Sequence, residues 1–163
     1  RSGRLMVRAN QGHSGKTAAR ITHDALLTRV TLADVDRFPV VVHGTYHDVW
    51  PQIWESGGLS RMARAHVHFG TGLPTEDGVI SGMRKSCNLL IYLDLRAAIE
   101  GGLNFFVSEN GVLLTPGEGA AGIVSTRFFS HVVDRKSGMP HSCRRGTGGG
   151  SSFGTNGYPT PTP

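Results

Sequence analysis

Five consecutive apolar residues, Leu89-Leu90-Ile91-Tyr92-Leu93, constrain the fold of this chain more than any other stretch. A continuous apolar run of that length predicts a strand buried on both faces. Such a strand needs apolar layers above and below it, and the chain supplies them in short pieces. Leu5-Met6-Val7 predicts a short buried strand, and Val40-Val41-Val42 a second, ended by His43-Gly44-Thr45. Ala65-His66-Val67-His68-Phe69 alternates and predicts a half-buried strand. Phe105-Phe106-Val107 and Val112-Leu113-Leu114 flank Asn110-Gly111, a hairpin signal because a type I′ turn needs positive φ at both central residues. Phe128 to Val133 predicts an edge strand.

Helical signals are few. Val49, Trp50, Ile53 and Trp54 recur at helical spacing, which predicts a helix from about Tyr46 to Ser56 with Gly57-Gly58 as its stop. Pro51 fits only in the first turn, where a missing N–H does no harm. Leu95 to Glu100 predicts a second short helix closed by Gly101-Gly102, and Thr31-Leu32-Ala33-Asp34 opens a third in an otherwise mixed stretch. Leu59 to Arg64 reads as a linker, and Gly70 to Gly78 as a loop. Many short strands with few short helices give an α+β class with a mixed or antiparallel sheet. Beyond Ser137 the composition turns to Gly, Ser, Thr and Pro, which bury too little apolar surface to offset the entropy of ordering. The expected organisation is one lobe over residues 1–136 and a disordered tail over 137–163.

Composition narrows the function classes. The formal charge of +5 and pI near 9.8 fit a polyanionic partner such as RNA, although no dense Lys/Arg stripe is present. Cys87 and Cys143 have no C-x-x-C spacing, and Cys143 falls in the tail, which argues against a zinc site or a disulfide scaffold. A reducing, intracellular compartment is the expectation, in cytoplasm or nucleus. No apolar run approaches the ~20 residues of a membrane helix, and no secretory signal is visible. The chain begins at Arg1 without an initiator Met, which suggests a fragment with an upstream region missing.

Several motifs compete for the chemistry. Gly12-His13-Ser14-Gly15-Lys16-Thr17 resembles the end of a phosphate-binding P-loop, but the first glycine of G-x-x-x-x-G-K-[ST] is replaced by Asn10. Ser14 and Ser81 sit beside glycines without completing G-x-S-x-G. The pairs His43/His47 and His66/His68 have no acidic ligand nearby, so no metal site is expected. Trp50, Trp54 and Tyr92 read as core. Arg61 and Arg64 read as solvated charge as readily as phosphate contacts. Arg8 and Arg84 differ. Each adjoins an apolar run, in Arg8-Ala9-Asn10-Gln11-Gly12-His13-Ser14 and Ile80-Ser81-Gly82-Met83-Arg84, among small residues that leave room for a ligand. A guanidinium offers a planar fork of donors suited to phosphate oxygens. His43 ends an apolar run and abuts Gly44, where a ligand can approach the backbone closely.

These segments, with His43-Gly44-Thr45, Arg64-Ala65-His66-Val67-His68 and Asn110 to Gly117, occur in the order in which the RNA (tRNA) 2′-phosphotransferase family carries them. The chain resembles that family over residues 4 to 117. The resemblance implies an ADP-ribosyltransferase-like fold and consumption of NAD as co-substrate. It also implies an RNA substrate bearing an internal 2′-phosphate, as in tRNA splicing, and no metal. In that family the 2′-phosphate attacks the nicotinamide ribose and nicotinamide leaves. The ribose 2″-hydroxyl then attacks phosphorus, giving RNA 2′-OH and ADP-ribose 1″,2″-cyclic phosphate. By the same resemblance Arg8 and Arg84 are catalytic and, with Asn10, hold the substrate phosphate. His43, Gly44, Thr45, His66, His68, Ser81 and Gly82 line the dinucleotide site. A monomer is expected. The family also carries an N-terminal winged-helix lobe with an Arg-His pair, and only seven residues precede Arg8 here. Alternative readings are ADP-ribosylation of a nucleic-acid phosphate without the second step, and a catalytically impaired NAD- or RNA-binding fragment.

Overall fold

The computed structural model describes residues 27–72, 83–84 and 86–141. The expected strand Leu5-Met6-Val7, the segments Arg8–Lys16 and Ile80–Gly82, and the tail from 142 onward lie outside the described residues. Among the described residues the strands form three sheets, and every pairing is antiparallel.

The apolar run Leu89–Leu93 is β5, the centre of a three-stranded sheet. It is flanked by β2 (Val42–Thr45) and β9 (Phe129–Asp134). Leu89, Ile91 and Leu93 enter the main core together with Phe69, Phe105 and Leu113. Leu90 faces a smaller cluster with Val42 and Cys87. Both faces are thus covered, as a continuous apolar strand requires. Tyr92 is the exception. It is half-buried rather than core, and its ring stacks on His131 at 4.1 Å.

A second sheet orders β1 (Leu27–Val30), β6 (Phe105–Ser108), β7 (Leu113–Thr115) and β4 (Val67–Phe69). The hairpin β6–β7 forms at Asn110-Gly111, but by a different turn from the one expected. Gly111 N–H bonds Ser108 O, Ser108 N–H bonds Val112 O, and only Gly111 (φ +77) takes positive φ. This is a three-residue loop with a left-handed glycine, which places one residue more in the loop than a type I′ turn does. A two-stranded ribbon of β3 (Gly58–Ser60) and β8 (Ile123–Ser125) completes the strands.

Among the described residues two α-helices pack on the sheets. α1 (Trp50–Glu55) has Pro51 in its first turn, and Trp50 and Trp54 pack with ring centroids 5.7 Å apart. The turn before it, His47–Val49, is 3₁₀ rather than part of one longer helix. α2 (Leu95–Glu100) is capped by Asp94, whose carboxylate accepts from Ala97 N at 2.9 Å. The expected helix at Thr31 is a 3₁₀ segment, Leu32–Arg37, where Asp34 accepts from the N–H and hydroxyl of Thr31. Past β9 the chain folds back, with a bridge from Val133 to Pro140 and His141 N–H on Val132 O.

Candidate functional site

Strands β2 and β4 belong to different sheets, yet they meet at one bridge. Val42 N–H bonds Gly70 O at 3.0 Å, and Gly70 N–H bonds Val42 O at 2.8 Å. Beside that bridge His43 Nδ1 lies 2.8 Å from the His68 carbonyl oxygen, so a side chain spans the gap instead of a further ladder bond. A cleft of about 360 Å³ opens here, within the range of roughly 300–1,000 Å³ common for small-molecule sites. His43, Gly44 and Thr45 from β2 line it, with His66 and His68 from the β4 segment and Arg84 from the turn entering β5. Ser60, Arg61, Met62 and Arg64 form its rim, and Tyr46 and Met83 also reach it.

Of the sequence-predicted site residues, His43, Gly44, Thr45, His66, His68 and Arg84 all face this one cleft. Arg8, Asn10, Ser81 and Gly82 lie outside the described residues. Arg61 and Arg64, read from sequence as surface charge or phosphate contacts with equal ease, are on the rim. Arg64 belonged to the string Arg64-Ala65-His66-Val67-His68, which was the signal available for it.

Gly44 lines the cleft, and packing adds a second reason for glycine there. A Cβ there would lie 2.7 Å from Cys87 Sγ and 2.9 Å from Met83 Sδ. The space a side chain would need is filled by Met83, which also reaches the cleft, and by the buried Cys87.

The electrostatics favour anions. Arg61, Arg64 and Arg84 are among its described lining residues, with no Asp or Glu beside them, and the Arg61 guanidinium is engaged by the Arg64 and Ala120 carbonyls. His43 and His68 do not add charge at neutral pH. Burial pushes the His43 imidazole below its ordinary range, and Arg64 pushes it further, against the pull of the His68 carbonyl. His68 is held at about 4, by burial first and then by Arg64, His66 and His43. A carbonyl oxygen only accepts, so His43 Nδ1 carries the proton and Nε2 is the acceptor. His68 Nε2 is buried and has no hydrogen-bond partner among the described residues. An orphaned polar atom of this kind costs about 1–3 kcal/mol.

A second concavity of about 400 Å³ lies where Tyr92 to Arg96 meet Val35–Val41. It is lined by two carboxylates, Asp36 and Asp94, against one guanidinium, Arg96, and contains none of the predicted site residues. Its charge does not suit a phosphate. Among the described residues no cluster of His, Cys, Asp and Glu is placed to hold a metal ion, and no helix is long and apolar enough to cross a membrane.

Comparison with known proteins bears on the same region. The family model described as RNA 2′-phosphotransferase, Tpt1 / KptA family, matches residues 1–117. A Danio rerio protein named tRNA 2′-phosphotransferase 1 is 51% identical over 127 residues, covering 78% of this chain and 53% of its own length. The Homo sapiens protein of the same name is 39% identical over 129 residues, covering 79% and 48%. The Saccharomyces cerevisiae tRNA 2′-phosphotransferase is 38% identical over 109 residues, covering 66% and 46%. The chain spans about half the length of these curated relatives. Every described cleft residue falls inside the matched stretch.

Proposed function

The chain belongs to the RNA 2′-phosphotransferase family, and from that premise we propose that its cleft removes an internal 2′-phosphate from RNA, as at a tRNA splice junction, with NAD as the co-substrate. The products are RNA 2′-OH, nicotinamide and ADP-ribose 1″,2″-cyclic phosphate. The reading includes an ADP-ribosyltransferase-like fold, supported by a cleft at the seam between two antiparallel sheets.

The observation that carries this reading is a cleft with three arginines and no described carboxylate, backed by two neutral histidines. Both NAD and a 2′-phosphorylated RNA are polyanions, and fixed cations aimed at a transferring phosphoryl group supply most of the catalysis such chemistry needs. Bound NAD would supply an electrophilic ribose carbon and the hydroxyl that takes over the phosphate. Arg84 holds phosphate oxygens, together with Arg8 and Asn10. His43 and His68 are uncharged, so they orient polar groups of the dinucleotide without competing with the arginines for phosphate. His43 is fixed by its bond to the His68 carbonyl and presents Nε2 as an acceptor. Gly44, Thr45 and His66, with Ser81 and Gly82, complete the dinucleotide wall.

Incubation with NAD and an RNA bearing one internal 2′-phosphate tests the reading. Conversion to a 2′-hydroxyl with release of nicotinamide and ADP-ribose 1″,2″-cyclic phosphate is expected. Accumulation of RNA carrying ADP-ribose on its phosphate would replace this reading with phosphate ADP-ribosylation, and binding of NAD without any product would replace it with a binding module.

A further inference from the structure

The rim turn from Ser60 to Arg64 is more rigidly built than a surface linker. Arg61 spends its donors inside the protein: Nη1 bonds the Arg64 carbonyl at 2.8 Å, and Nη2 bonds the Ala120 carbonyl at 3.0 Å. Its stem occupies the space that a side chain at Gly122 (φ +59) would need, with Arg61 Cδ 2.3 Å from an ideal Cβ. Arg61 N–H bonds Gly122 O, and Arg64 N–H bonds Arg61 O. Between them Met62 adopts φ 55 and is 80% exposed, a left-handed conformation rare outside glycine. Its N–H is held by Ser60 Oγ at 3.1 Å, and Ser60 Oγ in turn bonds the Ala121 carbonyl. Arg64 stands in contrast. Its guanidinium lines the cleft, is exposed, and pairs with no carboxylate or carbonyl among the described residues.

We propose that this turn is a phosphate clamp, in which the Arg64 guanidinium contacts a phosphate oxygen of the bound substrate and Arg61 is the positioning residue that aims it. The inference rests on the reading of the cleft as a nucleotide site and adds a cation to it. A fixed backbone under a free guanidinium lowers the ordering cost of binding an anion. The charge of Arg64 already reaches the cleft interior, because it opposes protonation of both His43 and His68. The ligand chemistry is a phosphate ester, supplied by the dinucleotide pyrophosphate or by the RNA 2′-phosphate.

Calorimetric binding by the full chain distinguishes these sources. The probes are ADP-ribose, a short RNA with one 2′-phosphate, and the same RNA with a 2′-hydroxyl. Arg64→Ala weakens ADP-ribose or the phosphorylated RNA by roughly tenfold or more, the scale of a charged hydrogen bond. The probe affected identifies the phosphate. Arg64→Lys retains part of the affinity, and the melting temperature is unchanged because the side chain is exposed. Arg61→Ala weakens the same probe but adds nothing once Arg64 is already alanine. Equal binding of both probes by wild type and Arg64→Ala overturns the clamp. An Arg61→Ala loss of equal size with and without Arg64 overturns its positioning role. Failure of the wild-type chain to bind either probe overturns the nucleotide reading of the cleft, and the clamp with it.

Discussion

His68 gives the protein a measurable response to acid. Its folded-state pKa of about 4 lies below the ordinary 6.5. Between those values the unfolded chain binds more protons than the folded one, so stability falls as pH drops from 6.5 towards 4. Urea unfolding at pH 7 and pH 5 should show that loss, and His68→Gln should shrink it. An unchanged pH slope in His68→Gln would show that the imidazole is not held neutral. Gly44 supports a second prediction at this scale. Gly44→Val forces a branched side chain against Cys87 and Met83, and overpacking of this kind costs about 1–3 kcal/mol. Thermal melts should show the loss, and Cys87→Ala should relieve part of it. The residue type at 44 was legible from the sequence, but its reason was not. Close ligand approach and close packing both call for glycine, and the packing reason depends on the positions of Met83 and Cys87, which no local pattern states.

At the scale of elements, local signals were sufficient where they did not depend on partners. β5 is a continuous apolar run, and α2 has its Asp94 cap and Gly101-Gly102 stop within the segment itself. Asp94→Ala should lower stability by about 1 kcal/mol without altering nucleotide binding, since Asp94 lies at the other concavity. The hairpin at Asn110-Gly111 was legible as a hairpin and not as a turn type, because loop length is fixed by the Ser108–Val112 register. Gly111→Ala should cost about 1–2 kcal/mol for the left-handed backbone. Space is not the obstacle, as the nearest atom to an added Cβ is Thr71 Oγ1 at 3.9 Å. A melting temperature equal to wild type would refute the turn geometry. β1, β3 and β8 were not legible. Leu27-Thr28-Arg29-Val30 is an edge strand with two exposed polar residues, and Gly58-Leu59-Ser60 and Ile123-Val124-Ser125 are three-residue strands whose pairing spans more than sixty positions.

For the whole molecule, the cleft lies where two sheets meet, at the Val42–Gly70 bridge among the described residues. No local pattern states that contact, so the site's shape was beyond sequence reasoning from residue types, whereas its membership came from recurring strings in order. The rim turn shows the division. Arg64 was visible inside such a string, but the turn that carries it depends on Arg61, Ala120 and Gly122 meeting across the fold. The central claim is that this arginine-lined cleft, with no carboxylate among its described lining residues, transfers a 2′-phosphate to NAD with loss of nicotinamide. Its most direct test measures 2′-phosphate loss from an internally phosphorylated RNA, with and without NAD, for wild type and Arg84→Ala. The account predicts loss only with NAD, with one nicotinamide released per phosphate. It also predicts a fall of roughly 10²-fold or more in Arg84→Ala, the scale of one electrostatic contact to a reacting group, at unchanged melting temperature. Phosphate loss independent of NAD, or wild-type turnover by Arg84→Ala, would contradict it.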